Sequence, residues 1–516
     1  MGMDMVMAMG VDRKPRGGIQ RLFLLGVGMG CVVFPAFAGD WKITPTIAVM
    51  ETATDNVALS NTQKQSDLIS DINPGILIDG SGGRSKLHFD YQLHDLIYAQ
   101  NSARNNTQNS LNAFGTLEAL ENWLFIDASG FISQQSISAF GGAPSSAVNT
   151  NVNSNLTETS TYRISPYVRG TLGSAADYQL RYSQSTTHTN TSSAFNSNIN
   201  ELIATLKGVT ALTNLGWSLD ASGKTVKFEN GVSNDDDRVR GVLAYALDPQ
   251  FRVSLIGGRE ANNYLSVNKE GHTITGAGFE WAPTERTQIA ASRESRFFGN
   301  SNSVSFSHRT AGTAWRYSES KDATVQPNQQ SSAGPGVYNA LAYTYCQSLE
   351  GTSSPSLSCV TGLASALMAN VPGGFLTSGV TLQHRRELSF AVLGVRNTVT
   401  FGATQTESEA LSQKTGTGFL SALGLANLQD IRQRGASISW ANKLSGLSSL
   451  TGSFSRMVST GTGTTTLEMV QKMLNLSFLT QLGPKTYSSL GARRVVVDGT
   501  TTYSENALLF TLSHQF

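Results

Sequence analysis

His88, Asp90 and His94 stand at even spacings along one stretch and are the best acid–base candidates in the chain. In an extended segment residues two apart share a face, so the two imidazoles and the carboxylate point the same way. A serine or aspartate beside such a histidine would suit hydrolysis. The competing reading is three hydrated side chains on a wet surface, and the polar, alternating neighbourhood favours that one. The seven histidines show no metal-ligand spacing. Ser222 to Thr225 (SGKT) imitates the end of a phosphate-binding loop, but Ser218 stands where the upstream glycine belongs. No Gly-x-Ser-x-Gly elbow occurs. The run Asn234 to Asp237 could hold a divalent cation between lipid headgroups, or be only a solvated hairpin tip. Neither an enzyme nor a cofactor is expected from these residues.

Arg163, Arg169, Arg181, Arg252 and Arg385 carry more weight as a set. Each falls on the polar side of a segment whose apolar residues recur at period 2. Ile164, Val168 and Leu172 oppose Arg163, Ser165 and Arg169; Tyr178, Leu180 and Tyr182 oppose Arg181; Phe251, Val253 and Leu255 oppose Arg252. Alternation of this kind is the pattern of a β-strand with one apolar face. If that face meets lipid, an arginine on it would cost about 2–4 kcal/mol near the midplane. The five arginines are therefore expected to line a lumen, together with His88, Asp90 and His94. There they either tune the passage of anionic solutes or sugar chains or satisfy internal acids such as Asp90 and Glu387.

The elements that must position these residues alternate between two kinds of connection. Short turns fall near Ser81–Gly83, Glu121–Asn122, Gly173–Ala175, Ala211–Asn214, Asp248–Gln250, Thr284–Arg286, Val395–Asn397, Ser445–Leu447 and Gly483–Lys485. Long polar connections lie between them, for example Gln134–Leu156, Thr189–Asn198 and Glu407–Ile431. Short periplasmic turns and long extracellular loops are the signature of an outer-membrane barrel. The fold expected is all-β, a transmembrane antiparallel up-and-down β-barrel of about 20 strands, within a range of 16 to 22 set by an even count. All six tryptophans, at 41, 123, 217, 281, 315 and 440, lie near the short-turn ends, as an interfacial girdle would. The alternation breaks once. Segments 303–317 and 379–393 both read as descending, so an ascending strand is expected between them, at Gly336 to Cys346. The insert 318–378 is otherwise a loop or a lumen plug, with Leu363 and Leu367 at helical spacing suggesting a short helix.

Residues 1–38 read as a signal peptide: a basic start, an apolar run from Leu22 to Phe34, and Ala36 and Ala38 at the positions a signal peptidase reads, with cleavage between Ala38 and Gly39. The remainder, 39–516, reads as one barrel domain. Taking the four basic and two acidic residues of 1–38 from the 38 and 37 of the whole chain leaves 34 against 35. That balance gives no basis for binding nucleic acid. Charged residues are 15% of the chain and the mean hydropathy is −0.15, which fits one lipid face averaged with one wet face. Cys346 and Cys359 are the two cysteines after Cys31. Export to an oxidising compartment favours a disulfide between them, worth roughly 3 kcal/mol for so short a loop in the chain-entropy model. The final strand, Tyr503 to Phe516, sets Leu508, Phe510, Leu512 and Phe516 on one side. An apolar strand ending on an aromatic suits insertion by the barrel assembly machinery, with Phe516 as the signal. The expected location is the outer membrane of a Gram-negative cell, with its lipids as partners.

Trp41–Val57 (WKITPTIAVMETATDNV), Ser66–Ile69, Ile72–Gly75 and the stretch Arg385–Glu409 with Gly394–Thr398 (GVRNT) resemble the outer-membrane proteins of PEP-CTERM/exosortase systems. The resemblance covers nearly the full barrel. It implies a neighbourhood of exopolysaccharide synthesis and export, with export components as partners, but no established activity and no functional residues. The functional expectation is a channel or export component with a polar, arginine-bearing lumen gated by 318–378. A barrel that anchors envelope partners without an open pore is the second reading, and a barrel enzyme the third.

Overall fold

The structure, a computed structural model, describes residues 39–516 apart from 142–147, 191–195, 211, 213, 230–232, 325–374, 377–378, 412–427 and 464–466. The signal-peptide reading of 1–38, the Cys346–Cys359 disulfide, the strand at 336–346 and the helix at 361–371 all lie outside the described residues.

Twenty-two strands follow one another. β1 is Gly39–Thr54, β2 Asp67–Gly82, β3 Ser85–Tyr98, β4 Asn106–Leu120, β5 Leu124–Ser136, β6 Leu156–Leu172 and β7 Ala176–Thr189. β8 is Ser197–Val209, β9 Leu215–Phe228, β10 Ser233–Ala246, β11 Phe251–Asn262, β12 Glu270–Thr284, β13 Thr287–Arg296, β14 Gly299–Arg309 and β15 Thr313–Thr324. β16 is Thr381–Leu393, β17 Asn397–Ala410, β18 Leu428–Lys443, β19 Ser448–Gly463, β20 Leu467–Gly483, β21 Thr486–Gly499 and β22 Tyr503–Gln515. The one helical piece among the described residues is a 3-10 turn, Ser102–Arg104.

Each strand pairs antiparallel with the next, and β1 pairs with β22 from Thr46↔Gln515 to Thr54↔Ala507. The Phe516 amide donates to Pro45 O at 3.0 Å, one step below that ladder. Closure leaves no edge, which matters where hydrocarbon offers no hydrogen bonds to free backbone groups. Leu508, Phe510 and Leu512 face outward and are exposed, as are Ile43, Ile47 and Val49 on β1. Strands of 10 to 17 residues meet or exceed the roughly 9–11 needed to cross a bilayer at a tilt.

The tryptophans do form one rim. Trp41 is two residues into β1, Trp123 is in the β4–β5 turn, and the other four lie within three residues of the short-turn ends of β9, β12, β15 and β18. Trp41 pairs with Gly80, and a Cβ at Gly80 would collide with the indole. The Trp123 Nε1 donates to the Tyr178 hydroxyl at 3.1 Å.

Four expectations are corrected. Segment 303–317 is not one strand: β14 descends to Arg309, the chain turns at 310–312, and β15 ascends from Thr313. β15 supplies the ascending crossing assigned to Gly336–Cys346, so parity needs no strand there. The count is 22 rather than about 20, and residues 318–324 of the expected insert belong to the wall. The physical sign was a change of phase. Val304 and Phe306 face lipid at even positions, while Trp315 and Tyr317 face it at odd ones, and Thr310–Gly312 makes the switch. At the opposite rim β13 and β14 are joined by only Phe297 and Phe298, with Gly299 at φ +95.

Candidate functional site

The inner wall carries the polar residues. Its concavity is shown by ion pairs between strands that are not neighbours: Arg240 on β10 meets Glu294 on β13 at 2.7 Å, three strands away. Three strand spacings are about 14 Å, a gap two side chains close only from the concave side. Arg296 likewise reaches Glu260 at 2.7 Å, two strands off.

On β4 to β7 the inner wall holds aromatic rings interleaved with arginines. Phe125 stacks on Tyr167, ring centroids 5.2 Å apart, because the two are directly paired across β5 and β6. The Arg169 guanidinium lies 4.2 Å from the Phe125 ring, and that of Arg181 lies 3.9 Å from the Tyr167 ring. Arg181 also donates to Asp127 at 2.7 Å. Further from the short-turn rim come Phe114 and Phe131, inward-facing yet 53% and 37% exposed. Phe114 stacks on His88 at 4.9 Å. Apolar rings open to a wet lumen are costly in water and call for a reason.

The residues expected at the lumen all lie on the inner face of their strands, but they do not gather into one site. His88 Nδ1 is 2.7 Å from Asp79, and His94 Nδ1 is 3.0 Å from the buried Asp71. Asp90 accepts from Gln92 at 3.4 Å. The two histidines thus have separate carboxylates on β2. Arg163 reaches Glu201 at 3.4 Å, Arg252 reaches Glu280 at 3.3 Å, and Arg385 is bonded to Glu387. Of the two acids foreseen as partners, Glu387 takes up an arginine and Asp90 takes up Gln92 instead. The Asn234–Asp237 run is split by the pleat. Asp235 takes the Thr225 hydroxyl at 2.6 Å and Asp237 takes Lys269 at 2.7 Å on the outer face, while Asn234 and Asp236 turn inward. Among the described residues no group of three metal-ligating side chains forms.

Sequence reasoning missed the seal. The β5–β6 connection folds into the mouth at the long-loop end. Its Ala139 and Phe140 join Ile431, Met469, Met473, Val495, Val497 and Tyr503 in one buried cluster, and its Val148 joins Val57, Ile69, Leu96 and Tyr98 in another. β5 and β21 are six strands apart by the shorter way round the ring, so this loop spans the mouth. A polar latch fixes it. Asn151 Nδ2 donates to Glu505 Oε1 at 2.7 Å, and Arg493 donates to Glu505 at 2.8 Å and to Asn151 Oδ1 at 3.2 Å. Thr54 donates to the same carboxylate at 3.0 Å. Glu505 is fully buried. A second cluster closes another part of the mouth: Ile199, Val226 and Phe228 pack with Tyr264, Val380, Leu382 and Leu411. Burial pushes the Tyr264 phenol well above its ordinary range. At the short-turn rim a recess of ≈ 580 Å³ is lined by Asp177, Lys207, Trp217, Val242 and Arg252.

No protein-family model matches the chain, and no curated protein matches it. Among solved structures it is similar to the FrpB iron transporter from Neisseria meningitidis. The F5-1 variant in its apoprotein form aligns at 10% identity and TM-score 0.50, over 92% of this chain and 81% of that one. A second structure of the F5-1 variant aligns at 10% identity and TM-score 0.50, over 92% and 82%. The siderophore receptor PirA from Pseudomonas aeruginosa aligns at 7% identity and TM-score 0.41, over 92% and 80%. The chain is an outer-membrane β-barrel.

For the outer-membrane barrel, identities this low carry the fold and nothing about cargo, so function must be argued from the lumen. The seal had only a faint sequence signal. Ile137, Phe140 and Val148 are apolar residues in a connection otherwise rich in Ser, Ala, Gly and Asn. Apolar residues in a long loop mean either an exposed patch or burial against something, and a barrel interior is one place to bury them.

Proposed function

We propose that the protein is a gated outer-membrane conduit for polar cargo, and that chains of anionic sugars are the class its inner wall suits. The observation that carries this reading is the stripe of Phe131, Phe114, Tyr167 and Phe125 with Arg169 and Arg181, running below a mouth closed by the chain's own loop. Aromatic faces offer a flat, weakly polar surface to the C–H side of a sugar ring. Arginines offer paired donors to its carboxylate or phosphate groups. Spaced along the wall, they give a chain several weak sites to step between, and conduction requires binding that is weak and repeated rather than deep. The resemblance of the first strands and the Arg385–Glu409 hairpin to barrels of exopolysaccharide-exporting systems supports the same cargo. The similarity in fold to FrpB, an iron transporter, supports a conduit rather than an enzyme.

The test is single-channel recording of the purified full-length protein in planar bilayers. The native barrel should be nearly silent. Asn151→Ala, which removes the loop's side of the latch, should open discrete channels that are blocked by acidic oligosaccharides. Adding Phe114→Ala and Phe131→Ala should weaken that block about tenfold, which is 1.4 kcal/mol. Open channels whose block ignores both phenylalanines would overturn the cargo assignment. No conductance from the unlatched barrel would overturn the conduit and leave a barrel that anchors envelope partners.

A further inference from the structure

The outer wall carries a cationic patch that transport through the lumen does not use. Arg434 on β18, Arg456 on β19, Lys472 on β20 and Arg494 on β21 all face outward and are exposed. Their place follows from register. Arg456 and Lys472 are directly paired across β19 and β20. Arg434 pairs with Val458, one pleat above Arg456, and Arg494 pairs with Leu474, one pleat below Lys472. Four strands in a row thus each present one cation at nearly one level, across about 14 Å of wall. On the same face, toward the short-turn rim, come Ile438 and Trp440, Phe454, Leu474 and Leu476, and Leu490, all exposed to lipid. The cations therefore top the apolar band at the long-loop end, the level of the outer-leaflet headgroups.

Like charges directly opposite on adjacent strands destabilise a sheet, and Arg456 and Lys472 stand so. Arg494 donates to the Asn506 amide oxygen at 3.2 Å; among the described residues no carboxylate forms an ion pair with any of the four. The outward carboxylates on these strands, Asp430, Glu468 and Asp498, lie four residues further out than Arg434, Lys472 and Arg494 along β18, β20 and β21, and Asp498 is one pleat above the residue paired with Lys472. The next outward cations on β16 and β18, Arg386 and Arg432, differ in being paired, with Glu319 at 3.2 Å and Glu407 at 2.9 Å. Four unneutralised cations above an apolar wall fit a ligand with acyl chains below and more than one phosphate at the level of the charges.

We propose that the outer face of β18–β21 is a binding site for a phosphorylated glycolipid of the outer leaflet, with Arg434, Arg456, Lys472 and Arg494 holding its phosphates. The site stands whether or not the barrel conducts. The experiment uses the full-length barrel in detergent, with lipid A bearing both phosphates as the probe and native mass spectrometry as the readout. The native protein should retain the probe, and R434Q/R456Q/K472Q/R494Q should retain it at least tenfold less. R259Q/R293Q, which removes two outward cations on β11 and β13, should behave as native. Heat-modifiable mobility on gels checks that each variant is a folded barrel; should the fourfold variant not fold, R456Q/K472Q takes its place. Equal retention by native and substituted barrels would overturn the site. Equal retention of the dephosphorylated lipid would overturn the role of phosphate. Inorganic phosphate competing as well as the lipid would show a free-anion site and overturn the glycolipid.

Discussion

At the scale of single residues, Glu505 is the group on which the mouth depends. It is a buried carboxylate with a guanidinium, an amide and a hydroxyl on it, each within 3.2 Å. Removing one partner of a buried ion pair leaves the other charge desolvated without its counter-ion, at a cost of about 3–5 kcal/mol. Glu505→Ala should lower the urea midpoint of the barrel in vesicles accordingly, because Arg493 then stays buried without its acid. Asn151→Ala removes its hydrogen bonds with the Glu505 carboxylate and the Arg493 guanidinium and should cost about 1.5–3 kcal/mol, while freeing the loop. A double-mutant cycle between the two should return a coupling above about 0.5 kcal/mol, as contacting residues do; additivity would mean that the loop is not latched there. The faces of these residues were legible: the period-2 pattern sets Arg163, Arg169, Arg181, Arg252 and Arg385 apart from their apolar neighbours, and the register puts all five inward. Their partners were not legible. Arg181 finds Asp127 two strands back and Arg493 finds Asn151 on a loop, and pattern reading has no access to which strands the curvature brings together.

At the scale of elements, nine of the short turns were readable because glycine, proline or polar residues interrupt the apolar alternation at each. The tenth, at 310–312, was hidden by a continuous-looking run from Ser303 to Tyr317. Its sign was the shift of the lipid-facing set from even to odd positions, which a straight strand cannot produce because its side chains alternate strictly. The two readings of this turn differ in a measurable way. With one strand through 303–317, position 311 would lie inside the membrane; with the hairpin it lies in the rim beside the tryptophans. A cysteine at Ala311 should react with a membrane-impermeant maleimide supplied to the periplasm and not from outside intact cells. Protection from both sides would restore the single strand and demand another crossing. The closing pair makes its own prediction. The Phe516 amide donates to Pro45 O and its ring lies 4.9 Å from that of His514. Deleting Phe516 should slow barrel insertion and leave more heat-unmodified protein in the periplasm, and unchanged assembly would remove Phe516 as an insertion signal.

At the scale of the whole molecule, the lumen is graded from one end to the other. On β22 Tyr503, Glu505 and Ala507 are buried, while Leu509, Thr511 and Ser513 further along the same inner face are partly open. β20 and β21 repeat the gradient, from Met469 and Val497 at the mouth to Ser477 and Ser489 below. A ring of 22 strands is wide enough to need filling if it is not to leak. Among the described residues the filling at the mouth comes from the wall's own connections: Phe140 and Val148, with Phe375 and Leu376 against the end of β5, and Tyr264 and Leu411 in a separate cluster. Each fully buried apolar side chain contributes about 1.5–3 kcal/mol to that closure, so several together hold it shut against thermal opening while remaining within reach of a bound partner or cargo. The β5–β6 loop touches both β21–β22 and β2–β3, and Phe375 and Leu376 of the β15–β16 connection meet the end of β5 at Ser136, so the β5–β6 loop is the connection whose loss should loosen the mouth most. Replacing 138–154 by a short Gly-Ser link leaves every strand pairing intact, since Ser136 and Leu156 already pair across β5 and β6. The shortened barrel should still migrate as a folded, heat-modifiable species and should admit small sugars in a liposome-swelling assay that the native barrel resists. Swelling that stays at the native level would, like a silent Asn151→Ala barrel, count against the conduit.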